Sequence, residues 1–118
     1  MKFALQGLSF AFTHERNMRI HTVIGLGAVG LIAVLRVTRL EIMFVCVALA
    51  LVLQCELINT AIEKTIDLTK PEQHPLAKAA KDCAAAAVLI STIFAVIIGV
   101  IVFGPHVWEG PEWRWEHN

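Results

Sequence analysis

The sequence predicts an all-α membrane protein, an N-terminal interfacial helix followed by three transmembrane helices, and three observations carry that prediction. Of 118 residues, 57% are hydrophobic and the mean hydropathy is +0.66, well above a typical soluble domain. The apolar residues fall into three charge-free runs, 22–35, 42–53 and 83–103. The third run, 21 residues long, alone covers a hydrocarbon layer of about 30 Å. The first two reach that length only with their flanks. The length allows one domain. Formal net charge is zero and no nucleic-acid motif occurs, so no nucleic-acid partner is expected.

The elements follow in chain order. Leu5, Leu8 and Phe12 repeat at helical spacing, with Gln6, Ser9 and Thr13 on the opposite face. That pattern predicts a helix lying in the membrane interface at about 2–17. His14 and Glu15 further interrupt the apolar stretch, which argues against a signal peptide. Spans are predicted at about 18–36, 40–67 and 76–104. The link Val37-Thr38-Arg39 is short enough to make the first two spans a tight hairpin, with Thr38 and Glu41 as hairpin and interface residues. Pro71 and Pro75 discourage helix in the second loop. Gly104-Pro105 is expected to end the last span. The predicted organisation is therefore a membrane domain at 1–104 and a tail at 105–118, whose Trp108, Trp113 and Trp115 suit the headgroup zone. Cys46, Cys55 and Cys83 show no ligand spacing and read as small reduced core residues. Ala84, Ala85, Ala86 and Ala87 read as a close helix-packing surface.

Basic residues set the expected orientation. Lys2, Arg16, Arg19, Lys64, Lys70, Lys78 and Lys81 gather on one side, and Arg36, Arg39 and Arg114 on the other. The positive-inside rule puts the N-terminus and the 64–81 region in the cytoplasm and the C-terminus outside.

A polar stripe breaks the apolar pattern. At 100° per residue, Glu56, Asn59, Thr60, Glu63 and Asp67 share one face of the second span. A charge at a bilayer centre costs about 2.5–3.5 kcal/mol. A helix-gluing hydrogen bond returns only about 0.6 kcal/mol. Packing alone is thus a poor reason for two carboxylates. Glu15 with Arg16, Asn17 and Arg19, and Lys78 with Lys81 and Asp82, are expected at the same membrane boundary. Carboxylate and amide oxygens suit Mg²⁺ bound together with substrate phosphates, basic groups hold phosphate oxygens, and a deeper carboxylate can take a proton from a hydroxyl. Those are the parts phosphoryl transfer uses. The glycine-rich phosphate loops and the protein-kinase motifs are absent.

Glu56-Leu-Ile-Asn59-Thr-Ala-Ile-Glu63, followed by Lys81-Asp82, resembles the bacterial integral-membrane diacylglycerol kinase family, which includes undecaprenol kinases. Glu15-Arg-Asn-Met-Arg19-Ile-His21 is similar to that family's entry to its first span. The resemblance covers about 3–104. It implies a homotrimer in the bacterial inner membrane that moves the γ-phosphate of ATP, with Mg²⁺, onto a lipid hydroxyl, giving phosphatidic acid or undecaprenyl phosphate. It implies Glu56 as catalytic base, Glu15 and Glu63 as metal ligands, Asn59 as an organiser of the site, and Lys81 and Asp82 as nucleotide contacts. A loop contact to nucleotide falls near Glu72, Gln73 and His74. Glu56 lies seven residues before Glu63, about 10.5 Å deeper along a helix, which agrees with a metal at the edge and a base near the lipid. The spelling around Asn59 to Lys64 and His74 to Lys78 leans toward the undecaprenol branch.

Two other readings remain open from the residues alone. A small proton-coupled exporter also uses an intramembrane glutamate, but needs four spans and an acid in mid-span. An inactive structural membrane subunit would need no catalysis at all.

Overall fold

The computed structural model describes residues 1–69 and 74–108. Glu72, Gln73, Trp113 and Trp115 lie outside the described residues. Four helices and no strand occur among them: α1 (Lys2–His14), α2 (Arg16–Val34), α3 (Arg39–Thr69) and α4 (Pro75–Trp108). The last three are long and apolar enough to cross a membrane. The expected architecture is therefore the observed one, with shifted boundaries.

The interfacial helix ends earlier than 17, and one residue separates it from the first span. Glu15 is extended, at φ −111° and ψ 114°, and its N–H donates to Ala11 O at 2.8 Å. Arg19 Nη1 donates to Phe12 O at 3.0 Å and Thr13 O at 2.8 Å. It thereby satisfies carbonyls that the end of α1 leaves open. The corner thus takes the guanidinium of Arg19 for capping.

The hairpin between α2 and α3 closes with a reciprocal cap. Thr38 N–H donates to Glu41 Oε1 at 2.9 Å, and Glu41 N–H donates to Thr38 Oγ1 at 3.2 Å. This is the S/T-x-x-E capping box. At the start of α4, His74 Nδ1 accepts from Leu76 N–H at 3.1 Å. Pro75, the first helical residue, loses no bond there.

Gly104-Pro105 does not end the last span. α4 continues through Pro105 to Trp108. Proline removes one N–H bond and crowds the turn before it. Here that loss falls near the helix end, where the following residue, His106, is buried and sits with Nε2 3.9 Å from Glu41 Oε2.

α3 is the central helix, touched by the other three. Its buried face is Glu41, Val45, Ala48, Val52, Glu56 and Thr60, spaced by three or four residues. α4 packs on it through Ala77, Ala84, Val102 and His106. Small residues permit that close approach. Large apolar side chains on α2, α3 and α4 are otherwise exposed, as lipid-facing surfaces require. Cys46 and Cys83 are among the outward residues rather than in the core, because they lie off the buried faces. α3 has 31 residues, so it is about 47 Å long and outreaches the hydrocarbon layer. Its last turns, with Glu63 and Asp67, fall at one edge.

Candidate active site

The stripe on α3 grades from buried to exposed along the helix. Glu56 is the largest fully buried side chain among the described residues, at 2% exposure. Thr60, one turn on, is also buried, and its hydroxyl donates to Glu56 O at 2.9 Å. Asn59 and Glu63 are half-buried, and Asn59 Nδ2 donates to Glu63 Oε1 at 3.2 Å. Asp67 is exposed and accepts from Lys81 Nζ at 2.6 Å.

Neighbouring elements bring the rest. The α1–α2 corner delivers Glu15, whose Oε1 lies 3.5 Å from Lys64 Nζ. Lys64 follows Glu63 on α3, so this contact sets Glu15 beside the stripe that runs inward to Glu56. The sequence brings Lys81 and Asp82 to the same end, yet they point apart. Lys81 turns to Asp67 on α3. Asp82 pairs with Lys78 on its own helix at 2.6 Å, both largely exposed, a contact worth little in water. His74 stands at the base of α4 as its cap.

His21 closes the first-span motif but has no role assigned from sequence. Its Nδ1 reaches 2.9 Å from Glu56 Oε1 across the α2–α3 contact. The ring N–H axis does not aim at the oxygen, so this is a close polar contact rather than an aligned hydrogen bond. Lys64 and Asp67 are likewise paired across elements. The 34 residues between His21 and Glu56 explain the omission: nothing in local spacing reports a contact between two helices.

A groove of about 480 Å³ runs between α2, α3 and α4. Ile24, Leu31, Val45, Val52 and Phe103 make it apolar, and His21 and Thr92 are its polar lining. Thr92 Oγ1 is buried without a partner.

The pattern of one family runs along nearly all of this architecture. Prokaryotic diacylglycerol kinase sequences match residues 2–103. The chain belongs to the prokaryotic diacylglycerol kinase family. It is 42% identical over 99 residues to a diacylglycerol kinase of Synechocystis, covering 83% of this chain and 57% of that protein. It is 37% identical over 91 residues to an undecaprenol kinase of Bacillus subtilis, covering 77% of this chain and 74% of that one. A diacylglycerol kinase of Haemophilus influenzae is 34% identical over 103 residues, with 86% and 87% covered. The chain thus spans little more than half of the Synechocystis relative and most of the other two.

A kinase family implies ATP and a divalent metal. The donors here fit such an ion. Asn59 Oδ1 is buried and without a partner, while its amide is tied to Glu63. Asn59 thus offers a neutral oxygen and Glu63 an anionic one within one turn of α3, and Lys64 ties the Glu15 carboxylate to the same helix, a hard donor set. Among the described residues no three acids, histidines or cysteines close into a metal cage. Such a set suits an ion that is completed by substrate phosphates.

Proposed function

We propose that this protein is an ATP-dependent lipid kinase acting at one membrane boundary. The single observation that carries this reading is the polar stripe of α3, graded from buried Glu56 to half-buried Asn59 and Glu63 and met by Glu15 through Lys64, at the edge of a three-span bundle beside an apolar groove. Positive-inside residues favour the cytoplasm for that edge, where ATP is available. The family resemblance favours a homotrimer.

Glu15, Glu63 and Asn59 Oδ1 would hold the metal, taken here as Mg²⁺. When bound, the ion neutralises charge on the transferring phosphates. Lys81, held by Asp67 at the mouth, is placed to meet phosphate oxygens, and Asp82, Glu72, Gln73 and His74 are proposed to contact the rest of the nucleotide. Glu56 is the deep negative centre that draws the proton from the lipid hydroxyl. The groove receives the chain of that lipid.

Diacylglycerol and undecaprenol both offer a primary hydroxyl on an apolar body. The test presents each, in mixed micelles, to purified protein with ATP and Mg²⁺. Phosphate appearing on one or both supports the reading, and the faster of the two names the substrate. A folded protein that phosphorylates neither contradicts it.

A further inference from the structure

Glu56 is the carboxylate of the stripe that the fold seals, at 2% side-chain exposure. Its polar neighbours on the two helices are committed elsewhere. The Thr60 hydroxyl donates to the Glu56 backbone carbonyl, not to the carboxylate. Thr22, next to His21 on α2, gives its hydroxyl to Met18 O at 2.7 Å. Asn59 ties its amide to Glu63. Among the described residues, the side chain that reaches the Glu56 carboxylate is His21, with Nδ1 2.9 Å from Oε1. The two carboxylate oxygens therefore differ. Nδ1 and Oε1 are both sealed from solvent, whereas Oε2 is not among the sealed atoms. The contact also belongs to a register. Glu15, at the N-terminal cap of α2, meets Lys64, and His21, six residues deeper, meets Glu56. Six residues on α2 span about 9 Å, close to the 10.5 Å or so between Glu56 and Glu63 on α3. Antiparallel α2 thus holds the stripe at its edge and at its depth.

We infer that His21 is a positioning residue for the base: its Nδ1–H holds Oε1 of Glu56 and leaves Oε2 as the oxygen that takes the proton of the lipid hydroxyl. This role deepens the kinase reading and rests on it, with Glu56 still the base. In the step, the lipid O–H bond breaks and its proton passes to Oε2. The lipid oxygen bonds to the γ-phosphorus of ATP as the bond to the β–γ bridging oxygen breaks, and ADP leaves. Glu56 then returns its proton to water, and His21 keeps its own proton throughout. A base fixed by a second group is a recurrent feature of active sites. The need is plain here, because a glutamate side chain is flexible and an apolar wall does not orient its carboxylate. A misplacement of about 1 Å can cost about 10²-fold in rate. The misaligned 2.9 Å contact does not oppose this, since such bonds commonly tighten only with substrate present.

Three variants, each checked for folding, test the role. His21→Ala should lower kcat for lipid phosphorylation about 10²-fold, with the KM for ATP little changed. His21→Asn, whose amide keeps an N–H where Nδ1 stood, should regain most of that rate. In Glu56→Gln, adding His21→Ala should slow the residual rate no further, because His21 acts only through the carboxylate. A residue needed for packing alone would slow both backgrounds alike. Near-normal kcat in His21→Ala, no recovery in His21→Asn, or a further loss in the double variant overturns the inference and leaves the kinase reading standing. Where the variants do not fold, solid-state NMR of the unaltered protein in bilayers decides. With nitrogen-15 histidine and carbon-13 glutamate, Nδ1 of His21 should carry a proton and show a contact to the Glu56 carboxyl carbon. An unprotonated Nδ1, or no such contact, overturns the inference as well. Absence of any phosphate transfer by the unaltered protein removes the kinase reading and this role with it.

Discussion

Asn59 Nδ2 donates to Glu63 Oε1 at 3.2 Å, and the other end of the same amide, Oδ1, is buried with no partner. A buried acceptor left open costs about 1–3 kcal/mol, and a cation shared with Glu63 would offset that cost.

Glu63→Gln and Asn59→Ala should each raise the metal concentration needed for half-maximal turnover by about 10–100-fold, the usual cost when a metal site loses an anchoring group. Titration of activity with Mg²⁺ reads the shift directly. Unchanged metal dependence in both variants would remove them from the metal site.

Glu56→Gln should lower kcat by about 10²–10⁴-fold with the helical content intact by circular dichroism. The loss should appear in turnover rather than in the KM for ATP, because Glu56 lies about 10.5 Å deeper than Glu63. A rise in the KM for ATP alone would move Glu56 to the nucleotide.

The Lys81–Asp67 pair is short but partly open to water, with side-chain exposures of 24% and 51%. Such pairs contribute about 0–1 kcal/mol. Asp67→Asn should therefore change stability by less than about 1 kcal/mol, yet raise the KM for ATP because Lys81 loses its anchor. A large drop in stability with an unaltered KM would make the pair structural.

Thr38→Ala breaks the capping box at the far end of α3. It should cost about 1 kcal/mol of stability, read by denaturant titration in micelles, and leave turnover unchanged. A kinetic effect there would couple the hairpin to the site.

Much of this architecture was legible because charge-free runs and helical periodicity are local. The stripe of Glu56, Asn59 and Glu63 could be read because i, i+3 and i+4 positions always share a helix face. α4 running through Pro105 was not legible: proline near a helix end normally argues for a stop, whereas the structure continues the helix and buries His106 beside Glu41 of α3. His21 was missed for the same reason, as its contact with Glu56 belongs to the packing of α2 on α3. Lys64 and Asp67 look solvated in sequence, and become paired only when the α1–α2 corner and α4 come alongside.

The most direct measurement follows the γ-phosphate label of ATP into lipid extracts with the unaltered protein, Glu56→Gln and Glu63→Gln, all shown to be folded. The account predicts label on diacylglycerol or undecaprenol with the unaltered protein and a loss of about 10²-fold or more with Glu56→Gln. For Glu63→Gln it predicts a loss that excess metal partly reverses. Label absent from both lipids with the unaltered protein, or undiminished in Glu56→Gln, would contradict it.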